Sequence, residues 1–129
     1  MVVSVRLCTL VFISLMLAPP VAADQFDGLY WWNFGRWEGT QTGWSCKKAD
    51  IGMDGGAFAV QGTTYHSIEE SCELSNPVRV RGLDAVLYDA ERRDHAETKS
   101  ERLMLMKHNS GIYVIRDGFA LELQLCGSQ

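Results

Sequence analysis

The strongest constraint in this chain is a period-two alternation of apolar residues that recurs from about residue 57 onward. Phe119, Leu121, Leu123 and Leu125 alternate with Ala120, Glu122 and Gln124. Successive side chains leave a strand on opposite faces, so this pattern describes a strand buried on one side and wet on the other. Val78 and Val80 alternate with Arg79 and Arg81 in the same way, which points the valines inward. Leu83–Tyr88 and Leu103–Met106 are short continuous apolar runs suited to central strands. Ile112-Tyr113-Val114-Ile115 is β-branched and aromatic, a strand composition. Turn signals separate these runs at Gln61-Gly62, Asn76-Pro77, Asn109-Ser110-Gly111 and Asp117-Gly118. The spacing predicts an all-β domain: an antiparallel meander of about seven or eight strands forming a small, partly closed barrel or curved sheet.

Two segments break the pattern. Asp89–Glu101 is highly charged and has no apolar stripe, so a helix there would have nothing to bury. It reads as a charged hairpin loop between the Leu83–Tyr88 and Leu103–Met106 strands. Asp24–Lys48 holds all four tryptophans with no clean period. It predicts one strand near Leu29–Trp32 and another near Trp44-Ser45-Cys46.

The N-terminus has the three-part plan of a secretory signal. Arg6 precedes the apolar run Leu7–Leu17, and small residues end the segment at Val21-Ala22-Ala23. The run falls far short of the ~20 residues that a spanning helix needs. The reading is a signal peptide over residues 1–23, then a single β domain over 24–129, exported to the periplasm or secreted. Cleavage would remove Arg6 and Cys8, leaving a chain more acidic than the formal net charge of −4. Phosphate binding needs a basic footprint, so nucleic acid is excluded as a partner.

Cys46, Cys72 and Cys126 would then be an odd set in an oxidising compartment. Cys72 shares strand parity with Ile68 and Leu74 and should point inward, which suggests a Cys46–Cys72 bridge. Cys126 shares parity with Glu122 and Gln124, which suggests a free or intermolecular thiol.

Four tryptophans are more than one small core needs, and exposed aromatic rings anchor protein partners or sugar rings. Trp32 and Trp44 read as core. Tyr30, Trp31 and Trp37 are the candidate binding residues, for an unknown protein or carbohydrate. Neither a cofactor nor a metal is indicated. Asp50 and Asp54 lack calcium-loop spacing, and the glycines around them explain a turn. His66, His95 and His108 lack zinc spacing. Glu69, Glu70 and Glu73 read as a solvated strand face. The sequence offers no phosphate loop, dinucleotide fingerprint or serine-nucleophile motif.

The stretches Ile51–Ala57 (IGMDGGA), Arg81–Glu91 (RGLDAVLYDAE) and Arg116–Phe119 (RDGF), with Trp44-Ser45-Cys46 and the late Cys126, resemble a group of small exported bacterial proteins of unknown function. The resemblance covers most of residues 24–129. It implies a cysteine just after the position of Glu91 that could pair with the one at Cys126. This chain has Arg92 there, which would leave Cys126 without that partner.

The expected function is an exported, non-enzymatic binding or interaction protein, envelope-associated or inhibitor-like. Two rivals stand beside it. One is a small envelope hydrolase using acids near the tryptophans, such as Asp27 or Glu38. The other is a purely structural envelope protein.

Overall fold

The computed structural model describes residues 23–32 and 43–127. Eight antiparallel strands follow one another around a closed barrel: β1 (Gly28–Trp32), β2 (Phe58–Gln61), β3 (Thr64–Ser67), β4 (Glu70–Arg79), β5 (Ala85–Arg93), β6 (Thr98–His108), β7 (Gly111–Arg116) and β8 (Phe119–Leu125). Closure is made by β8 against β1, with Trp31 opposite Gln124 and Trp32 opposite Leu123. The predicted meander therefore closes into a full barrel.

Register shows why these strands close. Val86, Leu105, Val114 and Leu121 are direct neighbours across β5, β6, β7 and β8, and all four are buried. Tyr88 and Leu103 form the adjacent inner pair. Tyr65 lies between Val60 and Cys72 on the same inner face. The apolar residues therefore point into the barrel. Its outer face carries Glu73, Asp89, Glu91, Arg102 and Glu122, the reverse of the apolar-out pattern of outer-membrane barrels. No helix among the described residues is long and apolar enough to cross a membrane.

Inward expectations fail at the two ends of β8, where Phe119 and Leu125 are exposed, and in β4, where the reason is identifiable. Val78 is 55% exposed. Asn76-Pro77, expected as a turn between strands, instead lies within β4. Pairing passes from Ser75↔Asp89 to Val78↔Leu87, so β4 carries one extra residue, and Asn76 takes a positive φ of 49°. A bulge of this kind flips the parity of everything beyond it.

The described part of the connection into β2, residues 43–57, is tied to itself and to the β3–β4 turn. Ser45 N–H donates to Gly55 O at 2.8 Å, and Glu69 N–H donates to Gly52 O at 2.7 Å. A Cβ on Gly56 would lie 1.9 Å from the Asp50 carbonyl oxygen, so no other residue fits there. Trp44-Ser45-Cys46 is not a strand. The Trp44 ring instead meets Trp32 edge-on and packs against Phe58, each at a centroid distance of 6.1 Å.

The disulfide is Cys46–Cys126, and among the described residues Cys72 is the free cysteine, and it is buried. Both the expected Cys46–Cys72 bridge and the expected free Cys126 are therefore wrong. Strand parity places Cys72 correctly inside the barrel. What parity cannot show is the β1–β8 closure: Cys126 N–H donates to Leu29 O at 2.8 Å. That bond sets Cys126 against β1, where Cys46 reaches it with a Cα separation of 5.9 Å.

Candidate functional site

The segment Asp89–Glu101 is not a loop. It forms the far halves of β5 and β6, paired residue by residue from Asp89↔Arg102 to Arg93↔Thr98. Asp94 closes the hairpin by accepting from the N–H groups of Ala96 and Glu97 at 2.8 and 2.9 Å. These two bonds hold its carboxyl below the usual carboxylate range. The strand pattern was hidden because the inner face at this end is ionic.

That inner face carries Arg92 and Glu101 from the hairpin, Glu70 and Cys72 from β4, Tyr65 and Ser67 from β3, and Arg116 from β7. Arg116 is the hub. Its Nη1 lies 2.7 Å from Glu70 Oε1, its Nε 3.5 Å from Glu101, and its Nη2 donates to Cys72 Sγ at 3.1 Å. Its guanidinium carbon stands 5.8 Å from the centre of the Tyr65 ring. Ser67 Oγ also donates to Glu70, and Arg92 Nε stands 3.7 Å from Glu70 Oε2. The side chains of Arg116, Glu70 and Glu101 are 13%, 17% and 18% exposed, so their charges depend on one another. Burial alone would lower the Arg116 pKa, but the Glu70 hydrogen bond and the nearby acidic groups raise it. Burial pushes the Cys72 thiol up to about 11 despite Arg116. A neutral thiol is a poor nucleophile, which argues against a reactive Cys72. Burial also raises Tyr65 well above the usual phenol range.

Beside this cluster the barrel wall opens into a cleft of about 840 Å³. One wall is the end of β6, Lys99 to Arg102, and the other is the β7–β8 turn, Arg116, Asp117 and Phe119. Leu87, Met104 and Ile115 line it from the outer face of the sheet, where they are direct cross-strand neighbours. Phe119 is 51% exposed. Four cations line the cleft (Arg92, Lys99, Arg102 and Arg116) against two acids, Glu101 and Asp117. Lys99 forms no ion pair among the described residues. It lies directly opposite Arg92, a like-charge cross-strand pair.

The aromatic residues chosen from sequence are not brought together as a surface. Tyr30 and Trp31 are each only 4% exposed, on opposite faces of β1. The Tyr30 hydroxyl donates to the Phe26 carbonyl. Burial, with Asp27 nearby, pushes Tyr30 up to about 12. These two residues are core, which removes them as exposed anchors. Trp37 and Glu38 lie outside the described residues. Asp27 accepts from Gly62 N–H at 3.0 Å and holds the β2–β3 turn. Asp50 accepts from the Ser45 hydroxyl. His108 Nε2 lies 3.1 Å from Leu123 O, and its Nδ1 accepts from Ser110 N–H. Among the described residues, no three His, Cys, Asp or Glu side chains gather as a metal site.

Sequence reading missed Glu70, Arg92, Glu101 and Arg116. The available signal was charge at inward parity: Glu70 is two residues before Cys72, and Arg116 two after Val114. No protein-family model, curated protein or solved structure matches this chain.

Proposed function

We propose that this protein is an exported, non-enzymatic binding module that captures its partner in the cleft between the end of β6 and the β7–β8 turn. The observation that carries this reading is the composition of the cleft. It joins an apolar outer row, Leu87–Met104–Ile115, to Lys99, a cation with no ion pair among the described residues, beside Arg92, Arg102 and Arg116, which are paired with Glu70, Asp89 and Glu101. Apolar surface with a few placed charges is the usual make-up of a recognition site. Export is supported by the Cys46–Cys126 disulfide, since such bonds persist in oxidising compartments. Membership of the small exported bacterial group named above is part of the proposal. The partner is a protein segment rather than a sugar: Tyr30 and Trp31, which a sugar-stacking platform would need exposed, are buried. The test is photo-cross-linking in envelope extract. A cross-linker at Asp117 in the cleft should give a discrete adduct, and one at Glu122 on the outer face of β8 should not. Equal adducts from both positions, or none from Asp117, would contradict the reading.

A further inference from the structure

The cleft has a main-chain wall as well as a side-chain one. β6 pairs with β5 along its whole length, from Arg93↔Thr98 to Ala85↔Met106. Its pairing with β7 begins only at Met104↔Ile115. From Thr98 to Leu103, β6 therefore has one neighbouring strand instead of two. The direction of its backbone groups follows from two hydrogen bonds. Lys107 N–H donates to Asp84 O at 2.9 Å, and Asp94 N–H donates to Glu97 O at 3.2 Å. Odd-numbered residues of β6 thus turn their N–H and C=O toward β5, and even-numbered residues turn theirs away. Met104, Met106 and His108 spend those groups on β7. Among the described residues no strand flanks Thr98, Ser100 and Arg102 on that side, and all three are exposed.

We propose, resting on the binding reading above, that this vacant edge takes an extended segment of a partner protein as an added β-strand, and that the segment alternates carboxylate and apolar side chains. Strand addition to an open edge draws its affinity from main-chain bonds and its specificity from alternate side chains. The alternation is dictated by the two faces of the edge. A residue set opposite Lys99 points inward with it, where a carboxylate meets a lysine that forms no ion pair among the described residues and already faces Arg92 across the hairpin. Its sequence neighbours point outward, beside the Met104–Ile115 row. The cleft is lined on its other side by Arg116, Asp117 and Phe119 of the β7–β8 turn, so the occupant lies between that turn and the edge, where a single extended segment can take the place of a strand.

The probes are two fluorescein-labelled octapeptides, one alternating Glu with Val and the other Lys with Val, read by fluorescence anisotropy against residues 24–129. The acidic peptide should bind at least tenfold more tightly than the basic one. Ser100→Pro removes a backbone N–H that faces away from β5, and edge positions of this kind tolerate proline. It should abolish binding while leaving the circular dichroism spectrum and thermal midpoint unchanged. Lys99→Glu, which leaves the backbone intact, should weaken the acidic peptide at least tenfold and serves if Ser100→Pro folds poorly. Equal binding of the two peptides, binding by neither, or undiminished binding to both variants would overturn the proposal. So would sedimentation showing that the edge pairs with a second copy of the chain. Cross-linking from Asp117 that persists despite such a failure would leave the binding reading standing and remove only the added strand.

Discussion

Replacing Arg116 with methionine keeps most of the side-chain volume and removes the hub of the inner ion cluster. Glu70 and Glu101, each below a fifth exposed, would then face one another with only Arg92 near, at 3.7 Å from Glu70. Removing one partner of a buried ion pair costs about 3–5 kcal/mol, because the other charge is left desolvated. These carboxylates retain some water, so the expected loss is about 2–3 kcal/mol. Urea denaturation at pH 7 measures it as a lower midpoint with an unchanged slope. The cause can be separated from simple loss of packing by removing the charge: adding Glu70→Gln and Glu101→Gln to the variant leaves no carboxylate uncompensated and should shrink its deficit relative to wild type. A loss under about 1 kcal/mol at pH 7 would refute the reasoning, since exposed pairs contribute no more than that. A deficit that the two glutamines do not shrink would refute it equally.

Three further predictions concern the cysteines and tyrosines. The Cys46–Cys126 bridge spans 80 residues of sequence, so its loss in Cys46→Ser/Cys126→Ser should cost about 4.5 kcal/mol in the chain-entropy picture; a non-reducing peptide map joining Cys46 to Cys72 would contradict this pairing. Cys72 and Arg92 are cross-strand partners, and the backbone of Arg92 bonds to β6, so their Cα atoms should stand about 4.5 Å apart. Arg92→Cys should therefore bond to Cys72, within the usual disulfide range, and abolish the thiol titre of the denatured protein; a persisting titre would count against the register. Cys72 and Tyr30 are raised to about 11 and about 12, so the folded state holds protons that the unfolded chain releases near pH 9–10. Stability should be flat from neutrality to about pH 9 and fall as pH rises toward 12, and absorbance at 295 nm should show tyrosines titrating above 10; a rise in stability over that window would contradict the buried placement of these groups.

Much of the barrel was legible because its middle is apolar. Leu121 and Leu123 alternate with Ala120 and Glu122, and the register confirms the inward face that this pattern implies. The ends were not legible, for physical reasons. Arg92, Glu101 and Arg116 occupy inward positions yet look like solvent residues, because one-dimensional patterning cannot tell a charge paired inside a barrel from a charge in water. Two strand halves were consequently read as a loop. The bulge at Asn76-Pro77 carried a turn composition but serves within β4, so the direction of Val78 came out reversed. The disulfide depends on contact between the first and last strands, which no local spacing encodes. Tyr30 and Trp31 drew attention as surplus aromatics, but β1 is covered on both faces and uses both. The cleft itself is a consequence of strand lengths: β6 outruns β7, and neither strand's composition reveals that.

The most direct measurement is amide hydrogen exchange along β6, read residue by residue by NMR in the free protein and again with the acidic octapeptide. The account predicts alternation in the free protein. Thr98, Ser100 and Arg102 should exchange fast, Lys99, Glu101 and Leu103 should be protected by β5, and the peptide should slow the first three. Protection of Thr98, Ser100 and Arg102 in the free protein would mean that the edge is already occupied. That result would contradict the claim that this cleft awaits a partner.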